Sequence, residues 1–366
     1  MSNIKSVIHI LGLNSKYGGN IIPALTGLAR VLASKGIKMS FAFPKTAKER
    51  EWCIKLAKEF NVYFITAKQF SLKTINELRA IYNMVQPDII HTHHDYLDIP
   101  ATIAAPKKSK VVWHYHNSTI FLKDDLKSKL KNFIHYSLVG RRARLISVSE
   151  FYRKLVVEKG GFPANKSTTI INGIDIDRLQ SINKTVGNKP VFLAFGYKPE
   201  IKGVDILLEA CERLELLGVK FELWLVFSEK LGENWVYNKY DGELPSWLVL
   251  KEPTEKIEDY YSHASIFISA SRNETFSYSV AESIFCSIPV VSSDIPGLDW
   301  AKEVPSVFFF QTENVAELTT QIIEILNHDQ DELVKKTLVS RELIKKKYSL
   351  DIWIDAICSY YDQLHQ

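Results

Sequence analysis

Short apolar runs alternate with stretches in which apolar residues recur every three to four positions, and this alternation persists from residue 6 almost to the end of the chain. Residues 7–11 read as a strand and Tyr17-Gly18-Gly19-Asn20 as a loop; Ile21, Leu25, Leu28, Ala29 and Leu32 then recur at helical spacing, with Gly36 closing the helix. Further strands are predicted at residues 37–43, 62–65, 88–91, 110–114, 144–148 and 168–171, mostly with helical stretches between them. Repeated β-α units of this kind predict a parallel sheet covered on both faces.

Residues 178–190 are polar and rich in turn formers, and the alternation restarts beyond them. Strands are predicted at 191–195, 221–227, 265–270 and 288–292, with helices over about 204–217 and 255–263. Residues 349–361 form an aromatic-rich amphipathic helix. The architecture expected is α/β, two Rossmann-like halves with a cleft between them: a first domain over 1–182, a second over 183–348, and a final segment, 349–366.

A length of 366 residues suits two domains, and 46% hydrophobic with 24% charged residues fits a globular chain. The net charge of +4 is too mild for a protein built around nucleic acid. Cys53, Cys211, Cys286 and Cys358 lie far apart without a Cys-x-x-Cys pair, which points to a reducing compartment and to neither a zinc site nor a disulfide framework. The first residues read as a buried strand rather than a secretory signal, and no run reaches the roughly 20 apolar residues of a membrane span. The expected location is cytoplasmic, with peripheral contact at the inner face of the membrane as an option.

The most informative segment is Glu274-Thr-Phe-Ser-Tyr-Ser-Val-Ala-Glu282, two acids eight positions apart between two predicted strands. Were the stretch mostly helical, its acids would stand about 12 Å apart along the axis, roughly the span from a sugar across a diphosphate to a ribose. The helix tip near Phe276 and Ser277 would then face the phosphates with unpaired N–H groups. Two acids so spaced also occur on plain solvated helices; their place at the carboxyl edge of a parallel sheet favours a site.

Other residues admit two readings. Gly18-Gly19 either allows close approach to a ligand or makes a tight turn, and the absent third glycine of Gly-x-Gly-x-x-Gly argues against a nicotinamide enzyme. Lys202, just before a helix, either reaches an anionic leaving group or is simply solvated. His91, His93 and His94 superficially resemble a metal cluster but find no matching partners downstream, so no metal is expected, and His93 and His94 are candidates to line the acceptor side. His114 and His116 face the same way by strand parity, and His116, beside Asn117, is the better site candidate. Asp175-Ile-Asp177 reads as a turn rather than a metal motif. Over 123–144, Leu126, Leu130, Phe133, Ile134 and Leu138 share a helical face amid Lys127, Lys129, Lys131, Arg141, Arg142 and Arg144. That segment is either a solvated helix or a contact for an anionic membrane surface.

Gly18-Gly19, residues 87–93, His116, residues 172–175, Gly196 with Lys202-Gly203, and above all 274–282 followed by 288–291 together resemble the large retaining family of GT-B glycosyltransferases, family 4-like, the glycosyl transferases group 1. The resemblance spans nearly the whole chain. It implies the GT-B fold, with the final helix crossing back to the first domain. It further implies transfer of a hexose from a UDP- or GDP-sugar to a glycan or lipid-linked acceptor in polysaccharide assembly, with no cofactor and no metal. Glu274 would touch donor-sugar hydroxyls, Glu282 the ribose, and backbone around Phe276, Ser277 and Tyr278 the diphosphate. Lys202 would neutralise that diphosphate, Gly18 and Gly19 would approach it, and His116 would contact the reacting sugar.

Three positions depart from the family pattern. Tyr197 stands where an arginine follows Gly196, with Lys198 a substitute charge, while Ser277 and Ser287 stand where glycines are usual. These departures keep open a rival function, a non-catalytic sugar-nucleotide-binding subunit that regulates or stabilises a partner glycosyltransferase. A nucleotide-sugar epimerase shares the expected architecture and would need no acceptor.

Overall fold

The computed structural model describes residues 4–69, 71–116, 125–180, 182, 184–185, 187–227, 230–254 and 256–364. It divides into two compact units, Met1–Gly173 together with Leu350–Gln366, and Ile174–Ser349.

In the first unit β1 (Ser6–Ile10), β2 (Lys38–Pro44), β3 (Asn61–Ile65), β4 (Ile89–Thr92), β5 (Lys110–Tyr115), β6 (Ala143–Ser147) and β7 (Ser167–Thr169) form one parallel sheet in the order β3-β2-β1-β4-β5-β6-β7. The helices between them are α1 (Ile21–Ser34), α2 (Glu51–Ala57), α3 (Leu72–Val85), α4 (Asp95–Ala104), α5 (Leu126–Asn132) and α6 (Glu150–Glu158). Strand parity sends Val7 and Leu11 into one apolar cluster with Leu25 and Leu28 of α1, and Ile8 and Ile10 into another with Leu78 of α3 and Leu97 of α4. Burial on both faces explains why these strands read as nearly continuous apolar runs.

The second unit repeats the plan. β8 (Val191–Phe195), α7 (Pro199–Lys202), α8 (Val204–Leu216), β9 (Glu222–Val226), α9 (Lys230–Lys239), β10 (Leu248–Lys251), α10 (Glu258–His263), β11 (Ile266–Ser269), α11 (Tyr278–Phe285), β12 (Val290–Ser293), β13 (Val307–Phe310), α12 (Val315–Asn327) and α13 (Gln330–Tyr348) follow in order. Their parallel sheet runs β10-β9-β8-β11-β12-β13. The chain then returns to the first unit as α14 (Leu350–Gln363), where Trp353, Ile354, Ile357 and Tyr361 join the cluster of Val7 and Leu25. Gly27 of α1 permits this packing, because a Cβ there would lie 3.0 Å from the Ile354 Cδ1 atom.

The division between the units falls at Gly173/Ile174, not at 182/183. Residue 174 already belongs with the second unit: the Ile174 N–H donates to the Tyr348 carbonyl at 2.8 Å, and Arg178 ion-pairs with Glu282 at 2.7 Å. The described residues of 178–190 therefore lie within that unit rather than at the change of unit. The four cysteines are buried and free. Among the described residues, no helix is long and apolar enough to cross a membrane.

Candidate active site

In each sheet the winding reverses beside one strand, β1 with neighbours β2 and β4, and β8 with neighbours β9 and β11. Ligands of open α/β sheets bind beyond the carboxyl ends of the strands at such a point. The candidate residues sit on the loops that leave these strands.

In the second unit, β8 leads into Gly196, Tyr197, Lys198 and α7, and β11 leads into the loop that carries Glu274. Gly196 is crowded from below, since a Cβ there would lie 2.5 Å from the Phe227 Cε1 atom. Lys198 is exposed with φ 55 at the start of α7. Gly203, with φ +61, runs so close to the end of β11 that a Cβ would collide with the Ala270 carbonyl oxygen. That approach brings Lys202 to Glu274, and the two form a buried ion pair. The Ser271 hydroxyl donates to the same carboxylate at 3.0 Å, and the half-exposed Tyr197 ring lies 4.5 Å from the Lys202 ammonium. Burial pulls the Lys202 pKa down, but Glu274 and Tyr197 outweigh it and hold the side chain as an ammonium above its ordinary value. The Glu274 loop is fixed from outside as well. A Cβ on Gly297 would collide with the Glu274 carbonyl oxygen, and Arg272 binds Asp205 at 2.7 Å and Glu313 at 2.5 Å.

Phe276 is fully buried against Trp300, ring centroids 5.0 Å apart, and its carbonyl accepts from the Trp300 indole N–H at 2.8 Å. Ser277 then turns into α11 with φ 63, a left-handed conformation, and its hydroxyl does not cap the helix. The stretch between the two acids is thus only half helical, contrary to the geometry expected from the sequence: α11 starts at Tyr278, and Glu274 to Ser277 are loop. The left-handed backbone at Ser277 interrupts the helical path there. Glu282, in α11, is buried, and its two oxygens accept from Arg178 at 2.7 Å and from the Tyr261 hydroxyl at 2.7 Å. Burial and the nearby Glu282 charge keep the Tyr278 phenol protonated. Ser287, at the other end of α11, also adopts a left-handed φ of 55, with its hydroxyl oxygen buried and unpartnered.

In the first unit, Gly18 and Gly19 lie between β1 and α1. A Cβ on Gly18 would press on Ile22 at 2.9 Å, whereas Gly19 has φ +56 and open space around it. His94 precedes α4 and its Nδ1 accepts the Gly12 N–H at 3.1 Å, so that ring holds the loop after β1. Asn117 lies outside the described residues. His93 and His116 meet, Nδ1 to Nε2, at 3.1 Å.

The expectation that the histidines lack partners is corrected by the sheet. His9 of β1 stands in register with His91 of β4, β5 adds His114, and His116 follows just beyond the end of β5. Two trios, His9-His91-His93 and His93-His114-His116, each bring three ring nitrogens within 4.8 Å of one another. Burial holds His9 and His116 down to about 3 and pushes His91, His93 and His114 well below the ordinary imidazole value, so all five rings are neutral. His9 was legible in principle, two residues from both Val7 and Leu11 on the same strand face. Tyr361, which bonds His91 at 2.6 Å and His9 at 3.0 Å, was not, being 270 residues from the former.

In the segment after β5, Leu126, Leu130, Phe133, Ile134 and Leu138 are all exposed, Leu126 by 83%. Asp175 accepts from the Arg178 N–H at 3.4 Å, a turn contact.

Two family models match in tandem. Glycosyltransferase Family 4 covers residues 24–178 and Glycosyl transferases group 1 covers residues 189–328. A glycosyltransferase of Methanocaldococcus jannaschii is 23% identical over 303 residues, 79% of this chain and 80% of that protein. Among solved structures, a glycosyltransferase from Rickettsia africae superposes with TM-score 0.82 at 17% identity, over 99% of this chain and 98% of the other. Anabaena HepE in complex with UDP superposes with TM-score 0.80 at 16% identity, over 98% and 100%. With two parallel-sheet Rossmann-like units matched in turn by the two family models, the chain belongs to the GT-B glycosyltransferases of the group 1, family 4-like kind.

Proposed function

We propose that the protein is a retaining, metal-independent hexosyltransferase that uses a UDP- or GDP-sugar and a glycan or lipid-linked acceptor in polysaccharide assembly. The observation that carries this reading is the buried Lys202–Glu274 pair beside the tip of α11, with Glu282 farther along the same helix. HepE has been crystallised with UDP and with UDP-glucose, which supports a nucleotide-sugar donor here.

Breaking the bond from the anomeric carbon to the diphosphate oxygen builds negative charge on the leaving group and positive charge on the sugar ring. A lysine and a helix N-terminus supply the compensating positive potential in place of a metal. In the donor complex the Lys202 ammonium, which has three N–H donors, turns part of its bonding from Glu274 to the diphosphate. Glu274 then accepts from donor-sugar hydroxyls. Glu282 retains lone pairs for ribose hydroxyls beside Arg178 and Tyr261. Gly18 and Gly19 approach the diphosphate, His116 contacts the reacting sugar, and His93 and His94 lie on the acceptor side. The acceptor hydroxyl attacks the face the diphosphate leaves, its oxygen bonds to the anomeric carbon, and its proton passes to the departing phosphate oxygen.

The exposed apolar row from Leu126 to Leu138, flanked by Lys127, Lys129, Lys131, Arg141 and Arg142, supports peripheral contact with an anionic membrane carrying a lipid-linked acceptor. The non-catalytic reading draws on Tyr197, where the family pattern has an arginine charge, and on Ser277 and Ser287, where it has glycine. Release of UDP or GDP from a panel of nucleotide sugars decides between the two. Turnover that vanishes in Glu274→Ala supports the enzyme, and nucleotide binding without any turnover rejects it.

A further inference from the structure

Glu282 is buried on α11, and a carboxylate taken out of water needs donors that hold its charge. Two reach it from separate parts of the second unit. Arg178 belongs to the segment 174–180, 104 residues away, and its Nη2 donates to Glu282 Oε1 at 2.7 Å. Tyr261 belongs to α10, and its hydroxyl donates to Oε2 at 2.7 Å. Burial and the Glu282 charge raise the Tyr261 phenol well above its ordinary value, so it keeps the proton it donates. The segment that carries Arg178 is itself pinned: Ile174 and Leu179 are buried, the Ile174 N–H donates to the Tyr348 carbonyl, and the Asp175 carboxylate accepts the Arg178 N–H.

How the guanidinium holds the acid is informative. Arginine frequently grips a carboxylate with two parallel N–H groups, as Arg30 does with Glu59 at 2.8 and 2.9 Å. Arg178 does not. Its Nη2 bonds Oε1, while its Nε is buried without an acceptor among the described residues. Two parallel bonds would make the stronger strut between the 174–180 segment and α11. A single bond instead leaves Oε2 to Tyr261, so the two donors are divided one to each oxygen and together fix the plane of the carboxylate. Each carboxylate oxygen accepts more than one hydrogen bond, and two oxygens held side by side match two neighbouring hydroxyls, one on each. Ribose carries such a cis diol at C2′ and C3′; 2′-deoxyribose does not.

We infer that Arg178 is a positioning residue which, with Tyr261, holds both oxygens of Glu282 on the 2′,3′-diol of the donor nucleotide, so that the protein selects ribonucleoside diphosphate sugars over their 2′-deoxyribonucleoside counterparts. The inference rests on the reading above that Glu282 meets the ribose, and it deepens that reading by setting which nucleotides are accepted.

The test is calorimetric titration of the full-length protein with UDP and 2′-deoxy-UDP, and with GDP and 2′-deoxy-GDP. In whichever pair binds, the ribose form should bind at least about tenfold tighter, because the missing hydroxyl leaves a desolvated carboxylate oxygen short of a donor. Arg178→Met should bring the two forms to within about threefold of each other, chiefly by weakening the ribose form. Arg178→Lys still offers one N–H to one oxygen and should keep the preference, since no fork is lost. Tyr261→Phe retains the buried ring, removes the second donor and should also narrow the gap, which decides the matter where Arg178→Met does not fold. Equal binding of the ribose and deoxyribose forms by the native protein overturns the inference. So does a loss in Arg178→Met shared equally by the two forms, the mark of a plain structural strut. Because the readout is binding, a ribose preference without any sugar transfer removes the transfer reading and leaves this one, whereas a native protein that binds none of these nucleotides overturns both.

Discussion

Replacing Lys202 by methionine removes a buried ammonium while keeping most of its volume. Its partner Glu274 is left as a carboxylate with the Ser271 hydroxyl as its remaining described side-chain donor, in a site where both side chains are about one-tenth exposed. Breaking a buried pair by removing one member costs about 3–5 kcal/mol, because the other charge stays desolvated. For a unit the size of Ile174–Ser349 that corresponds to a fall in Tm of roughly 10 °C. The double variant Lys202→Met with Glu274→Gln leaves no unpaired charge and should regain most of that loss. Catalysis should behave differently. If the ammonium stabilises the departing diphosphate, its loss costs on the order of 10²–10³ in turnover, the scale of one removed oxyanion donor, and neutralising Glu274 restores none of it. Thermal melts and nucleotide release from a donor panel, run on the wild type, both singles and the double, separate the two effects. The reasoning fails if the double variant is as unstable as Lys202→Met, or if Lys202→Met turns over within threefold of the wild type.

Ser287→Gly should raise Tm by a few degrees, about 1–2 kcal/mol, because it relieves a left-handed residue and deletes a buried, unpartnered hydroxyl oxygen; a lower Tm would contradict this. Gly297→Ala should abolish transfer while leaving the far-ultraviolet circular dichroism unchanged, since a Cβ there forces the Glu274 backbone aside; wild-type turnover would contradict it. Acidification should destabilise the first unit. His9 and His116 are held at about 3 by burial, so below the ordinary value of 6.5 the unfolded chain binds protons that the folded one does not. The loss is roughly 2 kcal/mol per ring at pH 5, and His91, His93 and His114 add to it in the same direction. Asp98, raised to about 6 by burial despite His135 and Thr92, opposes it between its ordinary 3.8 and 6. A Tm that is flat from pH 7 to pH 4.5 would refute the buried neutral histidines.

Elements with strong local signals were legible in the sequence: β8 falls at 191–195 as expected, and α8 ends one residue short of the expected 217. β10, β13 and helices α12 and α13 went unread. The apolar run of β10 is short and bordered by Trp247 and charged residues, and α13 is a polar helix whose buried side chains are few and spread along 19 residues. At the candidate site, Glu274, Glu282 and Lys202 could be read because 274–282 followed by 288–291, together with Lys202-Gly203, resemble the family pattern. Their mutual pairing could not. Lys202 meets Glu274 because Gly203 hugs Ala270, and Glu282 is engaged by Arg178 and Tyr261, contacts between residues 72, 104 and 21 positions apart that no local pattern encodes. The histidine cluster divides the same way. Parity exposes the alignment of His114 with His116, but the register of β1 with β4 and the docking of α14 complete it.

A crystal structure of the full-length protein with UDP bound tests the donor site most directly. The ribose hydroxyls should lie on Glu282 and the diphosphate between Lys202 and the N–H groups at the start of α11, without any metal ion. UDP bound elsewhere, a divalent cation bridging its phosphates, or Lys202 still wholly committed to Glu274 and out of reach of the phosphates would contradict the proposed chemistry.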